Sequence, residues 1–592
     1  MLIRCVDFNK KNFFSNNFIT GFTLFSLTFL YLTLWIFQGL DFTDEGYNLT
    51  KGWLIFNGGI TNQLDLTFGS SFICGLWNQI IPGNYLLFSR IGYVLAVSIS
   101  ALFAYLILVE FFERKLVFLS VLATVPITYS TLVRVLNYNN VPALFFLFFL
   151  YCFILAYKFK DKNNLRYYSF LILSGIFFSF CIISRLMLIV FLLYPLAIII
   201  YNFIFKDKKI SWFKSYIIYL AGFLIGIVVF LILLYKFNYL NAYINNTFGF
   251  LLEKSKSNDF QDSHTFKNSI IIILKYYYYT VLFLPLSLLS FYFFSLLFKI
   301  KNKLVSYILI SLILLSLIYF TFKYLKIYGV SNNIYFVFFG LSLFFLIYYI
   351  IKSKNIKSNF LIILILFYQI TFFIGSDAIN WQNLYLSLPL LLIVFEKIKE
   401  LNFDNFFSNV FNFKKISTLI AIYIILFGVA FNFFTIFRDS HNRTQLFYPF
   451  SIKNFKGIYT TQIRRNTVEQ MLNKLQGLIK KKDKIIFANS IPIFYYITQT
   501  IPANSDPWAI NMLDTEKYKE EINKILSEKQ VKVIVIAKGS TQRDIYWPQN
   551  VNTILIHQRM KDKLNYLYLA LKINNYKLIW QNNGFDIYTV KN

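Results

Sequence analysis

Residues 216–234 read YIIYLAGFLIGIVVFLILL, and residues 18–37 read FITGFTLFSLTFLYLTLWIF. Neither stretch contains a charged side chain. Each is long enough to cross about 30 Å of hydrocarbon at roughly 1.5 Å rise per residue. Working outward, comparable runs start near residues 85, 116, 140, 167, 186, 270, 304, 333, 359, 382 and 416, which gives about thirteen spans. Composition agrees: 57% of the 592 residues are apolar and 15% are charged, too few charges to cover a water-soluble surface of this size.

The net charge of +30 would suggest nucleic acid in a soluble protein. Here the basic residues cluster in alternate short loops, so a nucleic-acid partner is not expected and a topology signal is. The clusters are Arg114 and Lys115; Lys158, Lys160 and Lys162; Lys206, Lys208, Lys209 and Lys214; Lys299, Lys301 and Lys303; Lys352, Lys354 and Lys357; and Lys397, Lys399, Lys414 and Lys415. By the positive-inside rule these loops and the N-terminus are cytoplasmic in an integral inner (plasma) membrane protein. The first span, preceded by Arg4, Lys10 and Lys11, is expected to be retained. An odd number of spans then delivers the C-terminus to the outer, extracytoplasmic or periplasmic side. The four cysteines show neither a disulfide framework nor a metal spacing.

The chain divides into a membrane module, residues 1–437, with a large first outer loop at 39–84, and a soluble outer α/β domain, residues 438–592. In the latter, Asn466–Lys480 and Asp514–Lys529 read as helices, the second with Asp514 and Glu516 in its opening turn. Lys484–Ala488 and Val531–Ala537 read as strands, and Tyr576–Val590, broken at Asn582, Asn583 and Gly584, as a closing hairpin. No nucleotide-binding loop or nucleophile elbow occurs there.

Chemistry is expected in the first outer loop, which opens Asp41-Phe-Thr-Asp44-Glu45-Gly-Tyr47. A carboxylate at the bilayer edge is partly desolvated, which raises its basicity and suits it to take a proton from a hydroxyl; the alternative is an ordinary solvated acidic loop. Further on come Gly58-Gly59-Ile60-Thr61-Asn62-Gln63-Leu64-Asp65 and a mostly apolar stretch, Phe68 to Pro82, which reads either as an interfacial amphipathic segment or as a short core helix.

An early Asp-Glu-Gly-Tyr after the first span, a Gly-rich turn and a second Asp about 20 residues on resemble the GT-C membrane glycosyltransferases. Within them the likeness is to the dolichyl-phosphate-mannose type, which includes protein O-mannosyltransferases and lipid A aminoarabinose transferases. The resemblance implies a polytopic α-helical protein of about thirteen spans with a C-terminal extracytoplasmic α/β domain. It implies transfer of a sugar from a polyprenyl-phosphate donor to a glycan, lipid or protein acceptor at the outer face, with Asp44, together with Glu45, as the catalytic carboxylate. It also implies Asp65 near the acceptor or supporting the loop. Many relatives carry a basic residue and prolines after that second Asp, where this chain has Leu66-Thr67-Phe68-Gly69-Ser70-Ser71.

A lipid-phosphate donor needs cations where the leaving phosphate sits. Arg134, in Leu132-Val-Arg134-Val-Leu-Asn137-Tyr138-Asn139, and Arg185, in Ile183-Ser184-Arg185-Leu186, are expected at outer ends of spans and present a fork suited to phosphate; the alternative for each is snorkelling to the interface. Asn137 and Asn139 either bond sugar hydroxyls or cap the helix that contains Pro142. Asp377, in Gly375-Ser376-Asp377-Ala-Ile-Asn380-Trp381-Gln382, lies at another outer turn, where it could line a sugar pocket or accompany an interfacial Trp. His264 with Asp259 and Asp262 reads as a loop rather than a metal site. No cofactor is required, although a divalent metal at Asp44 or Glu45 is compatible with the chemistry.

The expected mechanism is a single inverting displacement in which the acceptor hydroxyl attacks the anomeric carbon as Asp44 takes its proton. Two alternatives are a polysaccharide polymerase or ligase and a lipid-linked glycan transporter. The first would be expected to carry a later loop rich in Arg and His, whereas Asn238–Lys267 has one His and no Arg. The second would show charges within spans and repeated halves.

Overall fold

The computed structural model describes residues 10–58, 67–81, 83–128, 133–160, 162–186, 188, 212–241, 243–245, 296, 304–305, 308–313, 316, 327–353, 355–371, 381–397, 413–434, 436, 438–439, 443–541, 546–549 and 558–590. Asp65, Asp377 and the loop holding Asp259, Asp262 and His264 lie outside them, as do most residues of the spans expected near 186, 270 and 304.

The membrane part is helical. In chain order the helices are α1 (Lys10–Thr33), α2 (Asp44–Asn57), α3 (Phe68–Gln79), α4 (Leu86–Leu108), α5 (Arg114–Thr128), α6 (Asn140–Phe159), α7 (Asn164–Ser184), α8 (Trp212–Lys236), α9 (Ile327–Lys352), α10 (Ile356–Thr371), α11 (Ser387–Lys397) and α12 (Phe413–Phe434). Among the described residues five helical stretches are long and apolar enough to cross a membrane: Leu86–Leu108, Asn140–Phe159, Asn164–Ser184, Phe213–Lys236 and Lys415–Phe434. Their sides carry bare apolar residues such as Leu224, Ile232 and Phe434, as a lipid-facing surface requires. Close approach is set by small residues. A Cβ on Gly222 would collide with the Ile172 carbonyl and one on Gly428 with the Pro126 backbone, so α8 packs onto α7, and α12 onto α5, backbone to backbone.

The described part of the stretch expected as the first outer loop holds α2 and α3. Helix α2 ends where Gly58 adopts φ +79 and its N–H returns to the Leu54 carbonyl. The two helices cross at Gly52 and Gly75, where a Cβ on Gly52 would stand 2.7 Å from the Gly75 nitrogen. Helix α3 buries Phe68, Ser71 and Cys74 and leaves Leu76 exposed, with Ile80 exposed just beyond its end. The amphipathic and short-helix readings of this stretch thus meet in one element.

The C-terminal part is α/β. A short pair, β1 (Tyr448–Pro449) and β2 (Tyr459–Thr460), precedes α13 (Gln462–Gln476). There follow β3 (Lys484–Ala488), α14 (Ile493–Thr498), β4 (Ile501–Pro502), α15 (Ala509–Met512), α16 (Thr515–Ser527), β5 (Val533–Ala537), α17 (Gln558–Ile573), β6 (Tyr576–Gln581) and β7 (Phe585–Val590). The sheet order is β4-β3-β5-β7-β6, with β3 parallel to β4 and β5, and the hairpin antiparallel. The Asn582 side-chain Oδ1 accepts the Gly584 and Phe585 N–H groups in the hairpin turn, and Asp514 caps α16. Alternation sorts the strands into two faces: Ile486, Ala488, Ile534 and Ile536 pack against α15, α16 and α17, while Ile485, Phe487, Val533, Val535, Phe585 and Ile587 face the other way.

That second face joins the membrane part. Its apolar cluster runs without interruption into Leu40, Phe42, Leu49, Trp53 and Leu54, where the Phe42 ring lies 5.2 Å from Trp547 and 5.5 Å from Phe494. Polar ties stitch the seam: Ile493 N–H to the Phe42 carbonyl at 3.2 Å, Thr50 Oγ1 to the Pro492 carbonyl at 2.8 Å, and Tyr47 Oη to Asp506 at 3.1 Å. Gly46 is needed here, since any Cβ would collide with the Ile493 backbone.

Candidate functional site

Helix α2 begins at Asp44, and the residues just before it set its direction. The Asp41 carboxylate is fully buried and accepts the Thr43 N–H and hydroxyl at 2.9 and 2.7 Å and the Glu45 N–H at 2.9 Å, capping the helix from three residues upstream. Burial, with Asp44 and Glu45 adding like charge, pushes Asp41 up to about 6 against the pull of Arg438.

Successive residues on a helix point about 100° apart, at 3.6 residues per turn. Asp44 and Glu45 therefore separate. Glu45 turns inward, completely buried, with Arg90 Nη2 at 2.6 Å and Arg134 Nε at 3.3 Å. Burial alone would raise its pKa, but the two guanidinium groups outweigh it and hold Glu45 below the usual carboxylate range. Asp44 turns outward with its side chain 28% exposed and meets Arg438 Nη2 at 2.9 Å. Arg438 also stands 3.7 Å from Asp41. Its neighbour Asp439 accepts the Leu40 N–H and the Thr460 hydroxyl at 2.8 Å each and pairs with Arg464 at 3.1 Å. Four carboxylates and four arginines thus interlock where the first loop, the span ends and the start of the C-terminal part converge.

Asp44 and Glu45, expected together as the catalytic carboxylate, are separated by this arrangement: only Asp44 faces out, and Glu45 is enclosed by cations. Arg134, expected to await a phosphate, also faces inward, donating to the Gln38 carbonyl and forming an ion pair with Glu45; among the described residues its buried Nη2 finds no hydrogen-bond partner. Arg185 lies at the C-terminal cap of α7, buried, with Nη1 donating to Asn139 Oδ1 at 3.1 Å and its guanidinium 5.9 Å from the Tyr138 ring centre. Asn137 makes the local bonds of a cap: its Oδ1 accepts the N–H groups of Asn139 and Asn140 and its Nδ2 donates to the Val135 carbonyl. Nearby, Ser70 of α3 donates to the Ser184 carbonyl at 2.8 Å, tying the first loop to the end of α7.

Sequence reading missed Arg90, Arg438 and Arg464. Arg90 had a signal, a lone charge inside an apolar span, which by itself marks a constrained site. Among the described residues no three His, Cys, Asp or Glu side chains converge on a metal position. Asp44 and Glu45 diverge, so they offer no shared two-carboxylate seat.

Residues 67–235 match the family model described as dolichyl-phosphate-mannose-protein mannosyltransferase. The fold is similar to that of ArnT from Cupriavidus metallidurans in its crystal structure bound to undecaprenyl phosphate, with 9% identity, coverage of 98% of this chain and 98% of that one, and a TM-score of 0.50. ArnT from the same organism in the apo state follows at 10% identity, 97% and 98% coverage and TM-score 0.44. The Archaeoglobus fulgidus oligosaccharyltransferase tethered with an acceptor peptide gives 12% identity, coverage of 97% of this chain and 74% of that one, and TM-score 0.43. Curated proteins provide no match. The matched family segment takes in α3 to α8, and with them Arg134, Asn137, Asn139 and Arg185; it ends short of Asp44 on one side and Arg438 on the other.

Proposed function

We propose that this chain, a membrane protein of the GT-C glycosyltransferase type by family match and fold, moves a hexosyl or pentosyl group from a polyprenyl-phosphate donor to an acceptor hydroxyl at the outer membrane face. The observation that carries the reading is the divergence of Asp44 from Glu45. One carboxylate reaches out from the start of a juxtamembrane helix while its neighbour is fixed from behind by two arginines.

In this reading Asp44 is the general base. The acceptor oxygen bonds to the anomeric carbon and its proton goes to Asp44, while the electron pair of the glycosidic bond leaves on the lipid phosphate. The configuration inverts because there is one displacement and no covalent intermediate. Glu45 acts as a positioning residue, its ion pairs with Arg90 and Arg134 fixing the first turn of α2 and hence the carboxylate one residue earlier. Arg185 with Asn139 forms a second basic position at a span end, suited to phosphate or to a sugar hydroxyl. Asp65 and Asp377 keep their sequence-based roles as acceptor-side candidates. The outward orientation of the C-terminal part, the count of about thirteen spans and any contribution of a divalent ion belong to the same proposal. A polymerase or a transporter has no comparable observation in its favour.

The test supplies the purified full chain with polyprenyl-phosphate sugars and compares release of lipid phosphate by wild type and Asp44→Asn. Release by wild type and a loss of about 100-fold or more in the variant supports the assignment. Equal release removes Asp44 from its role, and no turnover by either, across donors and acceptors, turns the balance to the polymerase or transport readings.

A further inference from the structure

Four guanidinium groups surround the start of α2, and three face inward. Arg90 and Arg134 close on Glu45 with side chains 0% and 6% exposed, and Arg464, also 0% exposed, closes on Asp439 and the carbonyls of Leu40 and Arg438. Arg438 differs. Its partner Asp44 is the most exposed carboxylate of the cluster, and its own side chain is 11% exposed. It stands four residues beyond Phe434, the end of the last apolar helix, whose ring is half exposed; that spacing sets Arg438 at headgroup depth. Its backbone sits at φ +56, a left-handed conformation that a non-glycine residue adopts only when its surroundings impose it.

We propose that Arg438 is the cation that receives the donor's phosphate, and that it does so by exchanging Asp44 for phosphate oxygens. The proposal deepens the glycosyltransferase reading and rests on it for the reaction step. Before donor arrives, Asp44 and Arg438 neutralise each other through Nη2, so the base is held and the guanidinium is engaged. A phosphate presents several strongly accepting oxygens to a guanidinium, with a geometry that matches its fork in two parallel hydrogen bonds. Turning the fork to the phosphate withdraws the cation from Asp44, whose carboxylate is then open to the acceptor hydroxyl. The same guanidinium meets the charge that grows on the phosphate as the carbon–oxygen bond breaks, while the acceptor proton goes to Asp44. Asp41, 3.7 Å from Nη1, stays beneath Arg438 as an anchor. Proton removal is thereby coupled to the presence of donor.

The exchange makes a prediction of opposite signs that can be read without sugar transfer. Binding of undecaprenyl phosphate to the full chain in nanodiscs is measured for wild type, Arg438→Ala, Arg438→Lys, Asp44→Asn and the Asp44→Asn/Arg438→Ala double variant. Arg438→Ala is expected to weaken binding by about 10- to 100-fold, with Arg438→Lys intermediate because a point charge replaces a fork. Asp44→Asn is expected to tighten binding, since the competing carboxylate has gone, and this gain should vanish in the double variant. A misfolded protein does not gain affinity, so the tightening separates the proposal from simple loss of structure. Unchanged affinity in Arg438→Ala, no gain in Asp44→Asn, or no binding by wild type overturns the assignment. Binding with the expected signs but no sugar transfer by wild type would instead sink the transferase reading and leave the phosphate site standing.

Discussion

Replacing Glu45 by glutamine removes one negative charge from a place where two arginine side chains, 0% and 6% exposed, have nowhere to turn. Breaking a buried ion pair by removing one partner costs about 3–5 kcal/mol, because the remaining charge stays desolvated; the amide can still accept a hydrogen bond, which sets the expectation near the lower end. Asp44→Asn breaks a pair that is 28% and 11% exposed, where solvent screens the interaction, and is expected to cost about 1 kcal/mol or less. Cys74 provides the assay. It lies on α3, which packs on α2, and is a buried thiol that desolvation pushes up to about 12, so it reacts with a thiol dye only when this corner opens. If labelling follows the opening equilibrium, Glu45→Gln should label roughly 100-fold faster than wild type and Asp44→Asn no more than about 5-fold faster. Labelling of Glu45→Gln at the wild-type rate would refute the claim that the inner cluster holds α2, and Asp44→Asn opening faster than Glu45→Gln would invert the assignment of inner and outer carboxylates.

Asp41 gives a pH dependence of defined sign. Its folded pKa, about 6, lies above the ordinary 3.8, so the folded state takes up a proton before the unfolded state does, and this group's contribution to stability should rise as pH falls from 7.5 through 6. Thermal unfolding of Asp41→Asn, followed by tryptophan fluorescence, should lack that rise between pH 7.5 and 5; a parallel curve would show that Asp41 does not titrate there. Glu45, held low, works in the opposite sense below its ordinary 4.5, outside this window. Gly46→Val should lift α2 from the C-terminal part and make the chain more sensitive to protease, whereas unchanged sensitivity would mean that the seam at Ile493 yields. Gly75→Leu should pry α3 from α2 and cost about 2 kcal/mol or more in the same unfolding assay, given backbone within van der Waals distance on the facing helix.

The membrane helices were legible because lipid imposes one rule over the whole span, an apolar run of sufficient length. Helices accordingly begin close to the expected positions at 85, 116, 140, 167, 214, 359 and 416. The sheet strands were legible for a similar reason, since Ile485 to Phe487 and Val533 to Ile536 alternate between two apolar faces. The site was legible only where its information is local. Asp44 and Glu45 stand together in the sequence, and reading them as a unit overlooked what a helix does to adjacent residues: a rotation of about 100° sends one to solvent and the other to the core. The partners that give these carboxylates different roles come from far along the chain, Arg90 from the next apolar helix and Arg438 from the segment after the last. No periodicity links such positions, because an ion pair asks for proximity in space and not for spacing in sequence. A lone charge in an apolar helix was still a usable sign for Arg90. Arg438 carried a weaker one, as a basic residue a few positions past a final apolar helix. A basic residue at such a boundary is ordinarily explained by topology; at Arg438 the ion pair with Asp44 adds a second constraint, one that only the folded chain reveals.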